Sequence, residues 1–172
     1  KMVAIVNNQI KTNTIPSGDF CSKEYLVNQI TEFYLTAGTS LNGLGIAFSG
    51  CTTDGQSICQ TTLNCLKNLC TKDFTHLMCP KINLINDSNA SCLAGTIEYP
   101  ESKVLVSVTS GTGIGAGIAI NSKLFTGANG FAGEIYGNTT FDKNGSLTKI
   151  GRLCSGSKIL KKLRSTDNSQ ID

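Results

Sequence analysis

The sequence predicts a mixed α/β protein, because strand-like and helix-like patterns follow one another along its 172 residues. Residues 22–37 place apolar side chains three and four positions apart, as an amphipathic helix does. Residues 82–86 and 104–108 are short apolar runs with the length and composition of buried strands. The first run leads into a helix-like segment, and the second leads into a cluster of glycines.

The helix over residues 22–37 is the clearest single element. Its apolar face is formed by Leu26, Ile30, Phe33 and Tyr34. Gly38 ends it, as glycine commonly does after the last helical residue. The other predicted elements are a hairpin of residues 3–6 and 9–12 turning at Asn7-Asn8, a strand at 44–48, loop and helical turns over 61–70, and a final helix at about 157–164. We expect the polar tail from Ser165 to be disordered.

A glycine-rich turn follows the predicted strand at residues 104–108. It reads Gly-Thr-Gly-Ile-Gly-Ala-Gly over residues 111–117, and glycine backbone can turn tightly and present bare N–H groups to phosphate. Residues 118–121 alternate like a second strand, and Asn121-Ser122 resembles a hairpin turn, which disfavours a dinucleotide loop that opens a helix. The alternative is that these glycines serve only a corner of a sheet.

Two carboxylates accompany this turn. A second glycine turn, residues 127–133, ends in Glu134, and phosphate donors beside one acid suggest phosphoryl transfer to a polar small molecule. Asp87 falls where the strand at 82–86 meets the following helix, a position from which a side chain can meet substrate at the mouth of an α/β sheet. The alternative is that Asp87 only caps this helix, a role that Ser88 or Asn89 could also fill.

Three segments together resemble the ROK family of repressors, open reading frames and sugar kinases. They are Asn-Asp-Ser-Asn at residues 86–89, the glycine turn at 111–117, and Gly-Ala-Asn-Gly-Phe-Ala-Gly-Glu-Ile at 127–135. Their order and spacing match as well, and residues 43–50 are similar to the family's strand that ends in a substrate-side glycine. The resemblance covers essentially the whole chain and is strongest over residues 82–136.

The resemblance implies an α/β fold of the actin-like ATPase (ribonuclease H-like) architecture, present in part and in two lobes. Residues 1–80 would form a small N-terminal lobe that lacks its first phosphate loop. Residues 81–172 would begin the large lobe, with the catalytic aspartate, the phosphate loop and the sugar-binding glutamate.

The resemblance also implies roles for individual residues. Asp87 matches the general base that takes a proton from the sugar hydroxyl attacking the γ-phosphate of ATP. Asn86 and Glu134 match residues that bind the sugar, and Gly50 matches a substrate-side position. Asn64 resembles the asparagine of a Pro-Asn-Leu turn, although the proline is missing here. The positions that would face the ATP phosphates are Gly111, Thr112, Gly113 and Gly115. Mg²⁺, held mainly by water and phosphate oxygens, would need no dedicated metal site.

The chain departs from the family pattern at three places. Family kinases begin with an Asp-x-Gly-Gly-Thr turn, whereas residues 1–6 resemble the strand just after it. Gly137 stands where many members have a histidine, and only Cys154 occurs near the family's zinc-binding cysteines. We therefore expect no zinc, and we expect these 172 residues to be a poor catalyst alone, as a fragment of a longer kinase or a natural truncation.

Composition limits the partners and the compartment. A net charge of +3 is too small to indicate nucleic-acid binding, and no apolar run has membrane-spanning length. The eight cysteines show no C-x-x-C pair or zinc spacing, so reduced thiols in the cytoplasm are favoured over disulfides of a secreted protein. The single histidine, His76, is better explained as a solvated residue than as a metal ligand.

The resemblance thus implies ATP-dependent phosphorylation of a hexose, of the glucokinase or fructokinase type. One alternative is a non-catalytic sugar-binding regulatory module, which the lack of a helix-turn-helix pattern disfavours. Another is a degenerate kinase remnant kept as an interaction protein. The sugar is not identified, and the oligomeric state stays open, with a homodimer as one option.

Overall fold

The computed structural model describes residues 1–16, 21–38 and 41–167. The chain forms two compact units, Lys1–Asp87 and Ser88–Asp172. The first unit includes the strand at Ile82–Asn86, because this strand pairs with another strand of that unit. The division into lobes at residue 80 stays a prediction. Every helix among the described residues is too short or too polar to traverse a lipid bilayer.

The first unit opens with a β-hairpin, as predicted. Strands β1 (Met2–Val6) and β2 (Gln9–Asn13) pair in antiparallel register, with Val6 opposite Gln9. Asn7 and Asn8 both have positive φ, 50° and 61°, which is the conformation of a two-residue turn whose twist matches that of the strands.

Helix α1 (Lys23–Ala37) confirms the predicted helix and its end signals. The Ser22 side chain accepts a hydrogen bond from the Tyr25 N–H at 3.1 Å, so it caps the first turn. Gly38 ends the helix with a φ of 145°. Ile30 and Tyr34 are buried in the core of this unit.

A two-stranded parallel sheet lies beside α1 in this core. Strand β3 (Leu44–Phe48) pairs with β4 (Ile82–Asn86), and Phe48 lies opposite Asn86 at their carboxyl ends. Between the strands the chain makes two 3₁₀ helices, Asn64–Leu66 and Thr71–Leu77, in partial agreement with the predicted helical turns. Leu69 and Phe74 are fully buried and join this segment to the core.

The second unit contains a three-stranded antiparallel sheet covered by α2 (Asp87–Glu98). Strand β5 (Val104–Ser110) pairs with β6 (Ile114–Ile120), which pairs with β7 (Lys123–Leu124). The predicted order of strand, glycine turn and strand is therefore confirmed. Asn121 and Ser122, with φ of 49° and 60°, form the predicted hairpin turn.

The chain ends in a short hairpin and two helices. Strands β8 (Thr139–Phe141) and β9 (Leu147–Lys149) precede α3 (Ile150–Cys154) and α4 (Gly156–Asp167). The predicted final helix was too short, since α4 starts one residue earlier and continues to Asp167. The tail expected from Ser165 is therefore helical through Asp167, and residues 168–172 lie outside the described part.

Candidate functional site

The junction of β4 and α2 carries two of the predicted site residues. Asn86 is the last residue of β4 and is only 8% exposed. Its side-chain nitrogen Nδ2 donates a hydrogen bond to the Gly50 carbonyl oxygen at 2.9 Å. Asp87 is the first residue of α2 and is exposed. A buried, fixed amide thus stands directly before an accessible carboxylate.

Gly50 lies two residues after the end of β3. This position admits only glycine, for two reasons. Its φ is 148°, a conformation that residues with a side chain rarely adopt. A Cβ atom there would meet the Gln60 carbonyl oxygen and approach Thr61 Cβ to 3.0 Å and Phe48 Cε2 to 3.2 Å. The structure therefore brings Gly50 and Asn86 together at the carboxyl ends of the paired strands β3 and β4.

Asn64 is the first residue of the 3₁₀ helix Asn64–Leu66 and is exposed. The chain just before it is tied to the segment that contains Gly50. Thr61 Oγ1 donates to the Ser49 carbonyl oxygen at 2.9 Å and accepts from the Leu63 N–H at 3.1 Å. The segment that contains Asn64 is therefore hydrogen-bonded to Ser49, the residue before Gly50.

In the second unit, Gly111, Thr112 and Gly113 form the turn between β5 and β6. The Gly111 N–H donates to the Gly113 carbonyl oxygen at 2.9 Å, which closes the turn on itself. The Thr112 and Gly113 amides have no hydrogen-bond acceptor within the described part of the chain. Two donors on an exposed glycine turn are a suitable arrangement for binding a phosphate group.

Gly115 lies inside β6 opposite Thr109, rather than in the turn. A Cβ atom there would collide with the Ser88 side chain. The Ser88 and Thr109 hydroxyls are hydrogen-bonded at 2.8 Å across this contact.

The predicted capping of α2 by Ser88 or Asn89 is wrong. The helix already begins at Asp87, and both residues are buried within its first turn.

Glu134 lies on the turn after the second glycine cluster and is exposed. The preceding residue, Gly133, has a φ of 88°, and its carbonyl oxygen accepts from the Ala116 N–H of β6 at 3.0 Å. A Cβ atom on Gly133 would collide with the Ala116 carbonyl oxygen. This close backbone contact fixes the Glu134 segment to the middle of β6.

Two residues near the turn were missed by sequence reasoning. Ser157, in the first turn of α4, donates from its N–H to the Gly111 carbonyl oxygen at 3.0 Å and from its hydroxyl to the Thr112 carbonyl oxygen at 2.9 Å. The Tyr136 ring packs against Gly151, and its Cδ2 would lie 3.7 Å from a Cβ on Gly113. Both contacts link distant parts of the chain, so no local pattern signals them.

The remaining titratable groups give no metal site. Within residues 1–16, 21–38 and 41–167, no three His, Cys, Asp or Glu side chains gather closely enough to hold a metal ion. His76 is exposed, and its Nε2 lies 3.0 Å from Thr31 Oγ1.

All eight cysteines carry free thiols. Burial, reinforced by the neighbouring Cys65, raises the pKa of the Cys21 thiol.

Comparison with known sequences identifies one family. The sequence model described as "ROK family" matches residues 3–165. The N-acetylmannosamine kinase of Haemophilus influenzae (strain 86-028NP) is 38% identical over 73 residues, which are 41% of this chain and 24% of that protein. The xylose repressor of Staphylococcus xylosus is 34% identical over 99 residues, which are 54% of this chain and 25% of that protein.

Solved structures of the same family resemble this one. A ROK family protein from Streptococcus pneumoniae TIGR4 in complex with sucrose has a TM-score of 0.74 at 21% identity, covering 93% of this chain and 55% of that one. A ROK family glucokinase from Streptomyces griseus in complex with glucose and AMPPNP has a TM-score of 0.66 at 22% identity, covering 87% and 52%.

These likenesses confirm the predicted fold class. The chain has part of the α/β, actin-like ATPase architecture of these proteins, in two lobes. It spans about a quarter of the length of the curated relatives it matches and about half of the solved structures.

Proposed function

This chain belongs to the ROK family, and we propose that it carries hexose-binding and phosphate-binding residues of an ATP-dependent hexose kinase. The family includes both sugar kinases and repressors. The observation that carries the proposal is the arrangement at the end of β4, where the exposed Asp87 follows the buried Asn86. A kinase requires an accessible carboxylate there, and a protein that only binds sugar does not.

Asp87 would act as the general base. Phosphoryl transfer depends on alignment and charge stabilisation more than on covalent chemistry. A carboxylate within hydrogen-bond reach of a sugar hydroxyl orients that hydroxyl and takes its proton late in the reaction. The hydrogen bond from Asn86 to Gly50 fixes the end of β4, and therefore the starting point of the Asp87 side chain. Asn86, Gly50 and Asn64 are the sugar-side residues that we propose for the first unit.

In the second unit we propose phosphate-binding residues and one residue that contacts sugar. The Thr112 and Gly113 amides are the donors we assign to phosphate, flanked by Gly111 and Gly115. Glu134, held on its turn by the contact of Gly133 with β6, would accept hydrogen bonds from sugar hydroxyls. Mg²⁺, when bound to ATP, would neutralise phosphate charge and would be held mainly by water and phosphate oxygens.

A sugar-binding regulator is the second candidate, favoured by the similarity to the xylose repressor of Staphylococcus xylosus. A repressor and a kinase differ in whether a bound nucleotide changes the affinity for sugar. A regulator needs the sugar-side residues but has no use for phosphate donors or a general base. A third candidate, a remnant without ligands, would keep only the fold.

Isothermal titration calorimetry with a panel of hexoses and xylose, with and without MgATP, separates these candidates. We expect a hexose to bind, and its affinity to rise when MgATP is present. Sugar binding that is indifferent to MgATP would favour the regulator, and a folded chain that binds neither sugar nor nucleotide would favour the remnant. We propose a cytoplasmic location, because eight free thiols suit a reducing compartment.

A further inference from the structure

The glycine turn between β5 and β6 is attached to the first turn of α4 by a single residue. Ser157 binds two successive carbonyl oxygens of the turn, that of Gly111 through its N–H at 3.0 Å and that of Thr112 through its hydroxyl at 2.9 Å. Each of these carbonyls belongs to a peptide unit that also contains one of the two candidate phosphate donors. Ser157 therefore contacts both relevant peptide units at once.

The planarity of the peptide bond determines where the two donors point. In a trans peptide the C=O and the following N–H point in opposite directions. When Ser157 holds the Gly111 carbonyl toward α4, the Thr112 N–H must point away from α4. The same argument applies to the Thr112 carbonyl and the Gly113 N–H. Both amides are thus directed to the same side of the turn, opposite the helix.

The Ser157 hydroxyl restrains the turn, which would otherwise change its conformation easily because of its glycines. Peptide units next to glycine rotate at low steric cost, and the unit between Thr112 and Gly113 is held by the Ser157 hydroxyl alone among the contacts we observe. The approach of α4 also requires glycine at position 156, where a Cβ atom would lie 2.9 Å from the Gly111 carbonyl oxygen and 3.1 Å from that of Ser110.

We propose that Ser157 is a positioning residue that orients the Thr112 and Gly113 amides toward the phosphates of the nucleotide. This inference rests on the proposed kinase function. It assigns to α4 a role in phosphate binding that does not require any α4 side chain to contact the ligand.

The test is a titration of the ¹⁵N-labelled 172-residue chain with MgATP, followed by NMR at the Thr112 and Gly113 amides. Ser157→Ala removes the hydroxyl, and Ser157→Thr restores it. Ser165→Ala is the matched control, because Ser165 lies on the same helix, is exposed, and donates only within α4, to the Lys162 carbonyl oxygen at 2.7 Å. We expect roughly threefold to tenfold weaker MgATP binding in Ser157→Ala, the effect of losing one hydrogen bond. Ser157→Thr and Ser165→Ala should stay within about twofold of wild type.

Two further readouts keep the outcomes distinct. Hexose affinity should be the same in wild type and Ser157→Ala, because the hydroxyl bonds to the turn and not to the sugar-side residues. If Ser157→Ala does not fold, Gly156→Ala tests the same contact by crowding the turn while keeping the hydroxyl, and it should also weaken MgATP binding. If wild type binds MgATP and the folded variants bind it equally well, the role of Ser157 is refuted and the kinase proposal stands. If wild type binds hexose but no MgATP, both are refuted.

Discussion

The side-chain amide of Asn86 donates a hydrogen bond to the carbonyl oxygen of Gly50, with a nitrogen–oxygen distance of 2.9 Å. The two residues lie 36 positions apart, at the carboxyl ends of the parallel strands β3 and β4. Parallel strands end at the same edge of their sheet, and this edge is where α/β proteins commonly bind ligands. The bond thus connects the two sugar-side segments that we propose for the first unit.

Replacing Asn86 by alanine should destabilise the first unit. The change removes a buried donor and leaves the Gly50 carbonyl oxygen without it, which costs about 1–3 kcal/mol. Asn83→Ala is the matched control, because Asn83 is on the same strand but exposed, and its loss should change stability by about 0.5 kcal/mol or less. Urea unfolding of the two variants measures this difference. Equal stabilities would mean that the bond to Gly50 contributes nothing.

Gly50→Ala should be more harmful than Gly45→Ala. At Gly50 an added Cβ meets backbone and side-chain atoms, and the φ of 148° adds strain of about 1–3 kcal/mol. At Gly45, in the middle of β3, a Cβ meets nothing within 4 Å, so alanine should be neutral or slightly stabilising there. Thermal unfolding followed by circular dichroism compares them. A Gly50→Ala protein as stable as Gly45→Ala would refute the geometry described for this turn.

Gly117→Ala should separate α2 from β6 in the second unit. The added Cβ would lie 2.5 Å from Cys92 Cβ and 2.7 Å from the Ser88 carbonyl oxygen, so the helix must move, at a cost of about 1–3 kcal/mol. Gly137→Ala is the control, since a Cβ there meets nothing within 4 Å. Unfolding in denaturant measures the free energy of unfolding of each variant. Similar values for the two would contradict the close packing of α2 on β6.

Asp73 should make the stability of the first unit depend on pH. Desolvation raises the pKa of its carboxyl, but the Cys70 N–H at 2.8 Å and the Lys23 ammonium at 2.9 Å together hold the pKa below its usual value. The carboxylate therefore stabilises the fold above the unfolded pKa of about 3.9, and this contribution is lost as the pH falls through the lower folded pKa. Wild type should exceed Asp73→Asn by about 1 kcal/mol at pH 7 and converge with it in acid. A difference that stays constant from pH 7 to pH 2 would contradict this assignment.

Turn and cap residues in the sequence correctly predicted the helix and the hairpin whose ends they mark. The Asn7-Asn8 turn, the Ser22 cap and the Gly38 stop each act on their own neighbours, so the hairpin and α1 were found correctly. The strand-to-helix transition at Asp87 was found because an apolar run ends there. The resemblance to a known family, rather than any local rule, supplied the roles of the candidate site residues.

Long-range packing accounts for what the sequence did not reveal. The contact of Ser157 with Thr112 joins residues 45 positions apart, and nothing in either segment encodes the other. The resemblance matched Gly115 to the loop that faces the ATP phosphates, and nothing in the sequence indicated that this residue lies within β6, where the close approach of Ser88 excludes a side chain. The length of α4 was underestimated, since its last residues have no strong local stop signal.

NMR titration of the ¹⁵N-labelled chain with glucose, mannose, N-acetylmannosamine and xylose tests whether a sugar binds at the carboxyl ends of β3 and β4. We expect one of the hexoses to shift the amide signals of Gly50, Asn86 and Asp87. We expect Asn86→Ala to weaken this response while the protein stays folded. A folded wild-type chain whose Gly50, Asn86 and Asp87 signals do not respond to any of these sugars would contradict this expectation.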